Sequence, residues 1–459
     1  MSTVSSPSLH VHCLPCGEVI DLLTQLPFRC PGARAGDNVD HILSLGQRAT
    51  PGDWPVSVDQ NPFQRFSNFS VARALADRVG VSRAEYAGLV SELDAAVKTV
   101  DGAGFVTTPY VDGEELGVWI KDETNAVGGS HKARHLMGIA LYMAVAERVP
   151  ALASQLADAP LAIASCGNAA LAAATIAAAM KRPLDVYIPD WAADSIVSRL
   201  GELGARLHIC ERDSDTPPGD PCYHAFVAAV EAGAVPFTCQ GTQNGLAIDG
   251  GRTIGFELAE QYMGCGSPHL KRLFIQVGGG ALASSILQGL WMAQTSQVIP
   301  ELPHLHIVQV ESAQPLVRAW RKLARELVGL DLPDHQLASR IREELNPDAV
   351  HDAWVAASRK RSDYMWPMET EPKSIASGIL DDETYDGFAS IFGMLKTGGF
   401  PVVVDEETVA RAHRDAHAAT TINVCATGSA GYAGVLALRA QGLIDSKDET
   451  AVLFTGVER

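Results

Sequence analysis

The sequence predicts an α/β fold in which mostly parallel sheets are covered by helices. Two observations carry this reading. From Val118 onward, short apolar runs alternate with helix-length segments, the pattern of strand–helix–strand units. The chain has 459 residues, of which 47% are hydrophobic and only 20% charged, enough apolar material for more than one packed domain.

The first sixty residues read as an irregular extension, with Pro7, Pro15, Pro27, Pro31, Pro51 and Pro55 as recurrent breakers. Helical patterning starts near Phe69. Ser82 is the expected N-cap of a helix carrying Tyr86, Leu89, Leu93 and Val97, and Glu85 completes a capping box. A strand is predicted at 161–164, a helix over 169–180, a strand at 184–188, a helix over 194–203 and a strand at 205–210. Farther on, a strand at 273–277 leads into a helix from Leu282, and 306–310 is another strand. Residues 313–372 are charged, Trp-containing and less regular, and read as an insertion or lid. The stretch 159–180 is free of charge and long enough to mimic a membrane span. It is Ala-rich and interrupted by Ser165-Cys166-Gly167-Asn168, which favours a buried strand, a polar loop and a helix.

Acidic side chains outnumber basic ones by 54 to 36, giving a formal charge of −18. That field argues against a nucleic-acid or anionic-membrane partner, because phosphate recognition needs clustered Lys and Arg. Nine scattered cysteines, and a start without a basic or apolar leader from Met1 to Cys13, lead us to expect a cytoplasmic protein with free thiols.

Four segments carry chemistry, each a polar or Gly-rich turn opening a helix. In Gly128-Gly129-Ser130-His131-Lys132, the lysine faces the positive end of a helix dipole, a setting for an amine nucleophile. In Ser165-Cys166-Gly167-Asn168, free backbone N–H groups with a hydroxyl and a carboxamide suit a carboxylate. In Gly278-Gly279-Gly280-Ala281-Leu282, the glycines let the backbone approach an anion, without the Lys-Ser or Lys-Thr ending of a P-loop. Ala426-Thr427-Gly428-Ser429 is the fourth. Singly, each reads equally well as an ordinary turn or cap.

In this order and spacing, the segments resemble the fold-type II pyridoxal-phosphate enzymes, the superfamily of threonine synthase, serine/threonine dehydratase and the tryptophan synthase β subunit. The resemblance runs from Thr107-Thr108-Pro109 to about Leu438. It implies that Lys132 carries pyridoxal 5'-phosphate on its amine and acts as the catalytic base. It further implies that Gly278, Gly279, Gly280, Ala281 and Leu282 bind the phosphate and that Asn168 contacts the ring oxygen. Thr427 would lie beside the pyridine nitrogen, and Gly378, in Ala376-Ser377-Gly378-Ile379, would also contact the cofactor. Ser165, Cys166, Gly167 and Asn168 would take the substrate carboxylate, with Cys166 as a small filler rather than a redox group. The family architecture implies two interleaved domains: an extension at 1–60, a large cofactor domain at 61–130 and 240–459, and a small domain at 131–239. It also implies a homo-oligomer, a dimer by analogy.

The motifs do not converge on one subfamily. Ser130-His131-Lys132 is similar to the Ala-His-Lys of the β subunit, which implies a His131 contact to the phosphate. The β subunit's catalytic Glu would fall at Ile163, which cannot move protons. Asp249-Gly250-Gly251 looks like a turn and helix start of the dehydratases. Cys13-Leu14-Pro15-Cys16-Gly17 is faintly similar to the lead-in of some threonine synthases, with His10 and His12 nearby. No second ligand pair at zinc spacing accompanies it, and Cys30 alone does not supply one, so no metal ligand is assigned. The expected reaction is β-elimination from a small β-substituted amino acid, in the manner of an ammonia-lyase. The alternatives are a β- or γ-replacement synthase and a non-catalytic cofactor-binding relative, against which the retained Lys132 weighs.

Overall fold

A computed structural model describes residues 9–34, 36–47, 50, 52–55, 57–211, 219–265, 270–368 and 372–459. Strands β1 (Leu9–Cys13), β2 (Val19–Ile20) and β3 (Leu43–Gln47) form an antiparallel sheet in the order β2-β1-β3. This corrects the expectation of an irregular extension. Pro15, Pro27 and Pro31 lie in the connections and not in the strands; Pro7 and Pro51 lie outside the described residues. Val11 and Cys13 are buried while His12 between them is half-buried, the alternation of a strand with one covered face. The strands are short and pair across long connections, so local patterning carries little of the signal.

β4 (Tyr110–Gly113) and β5 (Val118–Asp122) make a hairpin. β6 (Leu161–Ala164), β7 (Leu184–Pro189), β8 (Arg206–Cys210) and β9 (Val235–Pro236) form a parallel sheet in the order β8-β7-β6-β9. β10 (Arg272–Gln276), β11 (His304–Val310), β12 (Val402–Val404) and β13 (Thr450–Phe454) join the hairpin in a six-stranded sheet, ordered β12-β11-β10-β13-β5-β4. Every pairing in it is parallel except β4 with β5. The fold is therefore the α/β architecture with mostly parallel sheets that the alternation predicts.

The expected helix after Ser82 runs Arg83–Asp101, and both halves of its capping box are made. The charge-free stretch is β6 followed by the helix Asn168–Met180, and no helix among the described residues is long and apolar enough to cross a membrane. Two expectations need correction. Residues 313–372 are largely helical, with helices Pro315–Val328, Asp334–Glu344, Pro347–Ser358 and Arg361–Tyr364. Their charges lie outward while Trp320 and Trp354 are buried in the core of the six-stranded sheet. Asp249-Gly250-Gly251 is no turn but lies inside the helix Leu246–Gly264. A Cβ at Gly250 would stand 2.0 Å from the Arg134 carbonyl oxygen, so glycine there lets this helix close on the helix Lys132–Ala146.

Between those two helices lies a buried ionic cluster. The Lys121 ammonium, from β5, donates to Glu257 at 2.6 Å and to the Thr108 carbonyl at 2.8 Å. Arg134 donates to Glu123 at 2.9 Å and to both oxygens of Glu257, at 2.6 and 3.1 Å. All four charged side chains are essentially inaccessible. Burial pushes the Glu257 carboxyl up, but Arg134 and Lys121 outweigh it and hold the group below its ordinary value. Two cations against two anions leave no net charge to desolvate. Glu257→Ala would strand both Lys121 and Arg134, so we expect a loss of about 3–5 kcal/mol in unfolding free energy. Chemical denaturation measures it, and a loss below about 1 kcal/mol, the range of an exposed pair, would contradict the cluster.

Candidate active site

The chemistry-bearing loops lie where parallel strands end and helices begin, the position at which open α/β sheets bind ligands. β5 leads to Lys132–Ala146, β6 to Asn168–Met180, and β10 to the helix Ala281–Thr295. Lys132 is half-buried at the first position of its helix. Its charge acts on the half-buried carboxyl of Asp381, the buried carboxyl of Asp386 and the buried Cys239 thiol.

The His131 ring bonds the Thr455 carbonyl through Nδ1 at 3.1 Å. A carbonyl only accepts, so Nδ1 carries the proton. Burial first, then the charge of Lys132, hold the imidazole well below its ordinary range, leaving it neutral. Its Nε2 and the hydroxyl of Ser130 are both buried without a hydrogen-bond partner. Buried polar atoms beside Lys132 that lack partners call for a bound group.

In the loop 278–280, the backbone runs close against the Asp381 carboxylate: a Cβ at Gly278 would lie 2.1 Å from it. Burial pushes the Asp381 carboxyl up to about 6, against the pull of Lys132. Gly280 adopts φ +92° and caps the helix at Ala281 and Leu282 without a side chain, leaving first-turn N–H groups for an anion. The Asp381 carboxylate thus lies beside Gly278 and Gly279 of this loop. Gly280 packs against Asp386, whose carboxylate accepts from the Gly241 N–H at 3.0 Å. Burial pushes that carboxyl up to about 7.

Thr427 and Gly378 come together as a pair. The Gly378 N–H donates to Thr427 Oγ1 at 3.0 Å, so the hydroxyl retains its own proton to donate. Cys425, two residues before Thr427, caps the helix Ala426–Ala440. On the opposite wall, Ser165 turns back to accept from the Gly167 N–H at 3.3 Å. Gly167 brings no capping side chain to the helix at Asn168, and a Cβ on it would meet nothing within 4 Å. That helix start therefore faces open space, as a carboxylate site requires. Burial raises the Cys166 thiol, which keeps it protonated and inert.

Three contributors have no motif in the sequence. Asp381 and Asp386 follow the 376–379 fragment closely, yet only the fold brings them to Lys132. Arg459 donates to the Asn168 amide oxygen and the Gly128 carbonyl. Residues 455–459, leaving β13, also bridge the 129–131 loop and Cys425: Val457 N–H donates to Gly129 at 2.9 Å, and Cys425 N–H to Gly456 at 2.9 Å. A backbone cradle, two unpartnered buried atoms, a hydroxyl with a free proton and the lysine Lys132 fit a phosphate-bearing pyridine aldehyde.

Comparison with known proteins agrees. A family model described as "Pyridoxal-phosphate dependent enzyme" matches residues 104–456. Threonine synthase of Methanocaldococcus jannaschii is 22% identical over 213 residues, 46% of this chain; the match spans only 42% of that relative's length. Among solved structures, maize serine racemase aligns with a TM-score of 0.53 at 15% identity, covering 81% of this chain and 93% of that one. Threonine deaminase isoform 2 from Solanum lycopersicum gives 0.53 at 16%, covering 82% and 91%. Diaminopropionate ammonia lyase from Escherichia coli gives 0.54 at 16%, covering 81% and 88%. At these identities the structures establish a shared fold. The chain belongs to the family of fold-type II pyridoxal-phosphate dependent enzymes, and its cofactor is pyridoxal 5'-phosphate.

Proposed function

We propose that this chain is an ammonia-lyase of the serine/threonine dehydratase type, which eliminates the β-substituent of a small amino acid and releases a 2-oxo acid with ammonia. The observation that carries the reading is the Thr427–Gly378 pair. A hydroxyl that already accepts from Gly378 can donate to an unprotonated pyridine nitrogen, but it cannot keep that nitrogen protonated as a carboxylate would. A site so built favours prompt loss of a β-substituent over reactions that need a long-lived carbanion.

When bound, the cofactor accepts the electron pair left at Cα. The chain's own residues do the rest. The Lys132 amine would hold the cofactor and would be the base that takes the Cα proton. The helix start at Gly167 and Asn168, with Ser165 and Cys166 forming its loop, holds the substrate carboxylate. Asn168, its amide oxygen engaged by Arg459, would offer its Nδ2 as a donor to the ring oxygen. The glycine loop and the neutral His131 would hold the phosphate. Nine free thiols support a reducing, cytoplasmic setting, and we expect a homo-oligomer with no nucleic-acid or membrane partner. The threonine synthase match supports a second reading, a replacement reaction in which a nucleophile is incorporated.

Borohydride reduction followed by peptide mapping should find the pyridoxyl group on Lys132, and Lys132→Ala should cut turnover by about 10²–10⁴-fold. Label on Lys121, in the ionic cluster, or on Lys181, at the far end of the helix Asn168–Met180, overturns the assignment. Asn168→Ala removes a hydrogen bond to a charged group, worth about 1.5–3 kcal/mol, so KM should rise at least tenfold with an altered cofactor spectrum. Unchanged kinetics and spectrum would reduce Asn168 to a helix-start residue. Thr427→Asp should slow elimination and let transamination products accumulate. A Thr427→Asp enzyme that behaves like wild type would remove Thr427 from the ring nitrogen.

A further inference from the structure

Away from the active site, β1, the turn after it, the loop before β3 and the residue preceding Ile42 bring four metal-ligating side chains to one point. Cys13, Cys16, Cys30 and His41 have ligand atoms that all lie within 4.8 Å of one another. Cys16 and Cys30 are separated by 3.5 Å between sulfurs, and Cys13 Sγ is 3.5 Å from His41 Nδ1. A disulfide needs about 2.05 Å between sulfurs, so the pair is not bridged. Zinc bonds of about 2.3 Å to sulfur and 2.0–2.1 Å to nitrogen set tetrahedral edges of roughly 3.5–3.8 Å, close to the 3.5 Å of the Cys16–Cys30 and Cys13–His41 pairs.

We propose that Cys13, Cys16, Cys30 and His41 bind one structural zinc ion, with three thiolates and one imidazole closing a tetrahedron. The surroundings are built for it. His41 Nε2 lies 3.0 Å from the Asp37 carboxylate, which fixes the proton on Nε2 and turns the Nδ1 lone pair toward the sulfurs, the usual support of a metal-bound histidine. The Gly32 N–H donates to Cys30 Sγ at 3.3 Å. A Cβ on Gly32 would lie 3.3 and 3.4 Å from the sulfurs of Cys16 and Cys30, so only glycine lets the loop fold over them without crowding. Gly17, at φ +82°, turns the chain so that its N–H reaches the Cys13 carbonyl at 2.8 Å. Cys13 and Cys30 are buried and His41 is half-buried. Of the histidines singled out in the sequence, His12 is not in the cluster, and the His10 side chain lies outside the described residues. Four protein ligands leave no open position, so the site is structural and not catalytic. Three thiolates with one imidazole select zinc over the oxygen-seeking cations.

The ion would clamp the segment around β1–β3 onto the rest of the molecule. The Pro15 carbonyl accepts from Arg359 at 2.6 Å, Asp40 N–H donates to Ser358 at 2.8 Å, and Gly245 N–H donates to Phe28 at 2.9 Å. Gly245 precedes the helix that carries Glu257, so the clamp bears on the ionic cluster under Lys132.

The test is metal analysis of the full chain purified under reducing conditions from zinc-supplemented cells, in the wild type and in Cys30→Ser. We expect about one zinc per wild-type chain and a large loss in Cys30→Ser. Since that variant removes a buried residue, the wild type is also read alone: exchange with cobalt(II) should give intense thiolate-to-metal absorption and the visible bands of a tetrahedral site. Zinc far below one per chain, a weak octahedral cobalt spectrum, or a Cys16–Cys30 disulfide mapped in the reduced preparation would each overturn the proposal.

Discussion

The buried cluster of Lys121, Glu123, Arg134 and Glu257 is the constraint on which the active site depends. Arg134 lies on the first turn of the helix that Lys132 opens, and its guanidinium is held by Glu123 from the end of β5 and Glu257 from the helix Leu246–Gly264. A reactive lysine at a helix start is only as well placed as that start. Three elements are fastened there by charge-assisted bonds in a site closed to water, where an unpaired member would be very costly. The glycine contact at Gly250 makes the arrangement possible, because any side chain there would push the two helices apart.

From that anchor the site is assembled out of strand ends. β5, β6 and β10 each release the chain into a helix, and each helix start offers backbone donors in one direction. The chain beyond β13 then closes the arrangement. Residues 455–459 bond to His131, Gly129, Cys425 and Asn168, tying the lysine loop, the hydroxyl-bearing helix and the loop 165–168 to one segment. The Asp381 carboxylate lies against Gly278 of the glycine loop, and burial pushes it up to about 6.

Much of this is legible in the sequence, for physical reasons. Motifs built from consecutive residues, such as Gly278-Gly279-Gly280 or Ser165-Cys166-Gly167-Asn168, carry their backbone geometry with them. The strand at 161–164 and the helix capped by Ser82 are likewise locally determined, and both are found where the patterning puts them. What escapes is non-local. Asp381, Asp386 and Arg459 acquire roles only when distant strands pair. The β1–β3 sheet is hidden among prolines that occupy its connections. Asp249-Gly250-Gly251 reads as a turn because the benefit of glycine inside a helix lies in its neighbour, not in its own helix. Cys30 and His41 stand at no standard spacing from Cys13 and Cys16, so only the folded chain shows them as one cluster.

The central claim is that these elements form a working elimination site around Lys132. Its most direct test is to incubate the cofactor-loaded protein with a panel of small β-substituted amino acids, with and without added nucleophiles, and to quantify 2-oxo acid, ammonia and any new amino acid. The account predicts 2-oxo acid and ammonia in equal amounts from at least one member, independent of the nucleophile. Products that form only when a nucleophile is present and incorporated, or release of aminated cofactor in place of ammonia, would contradict it.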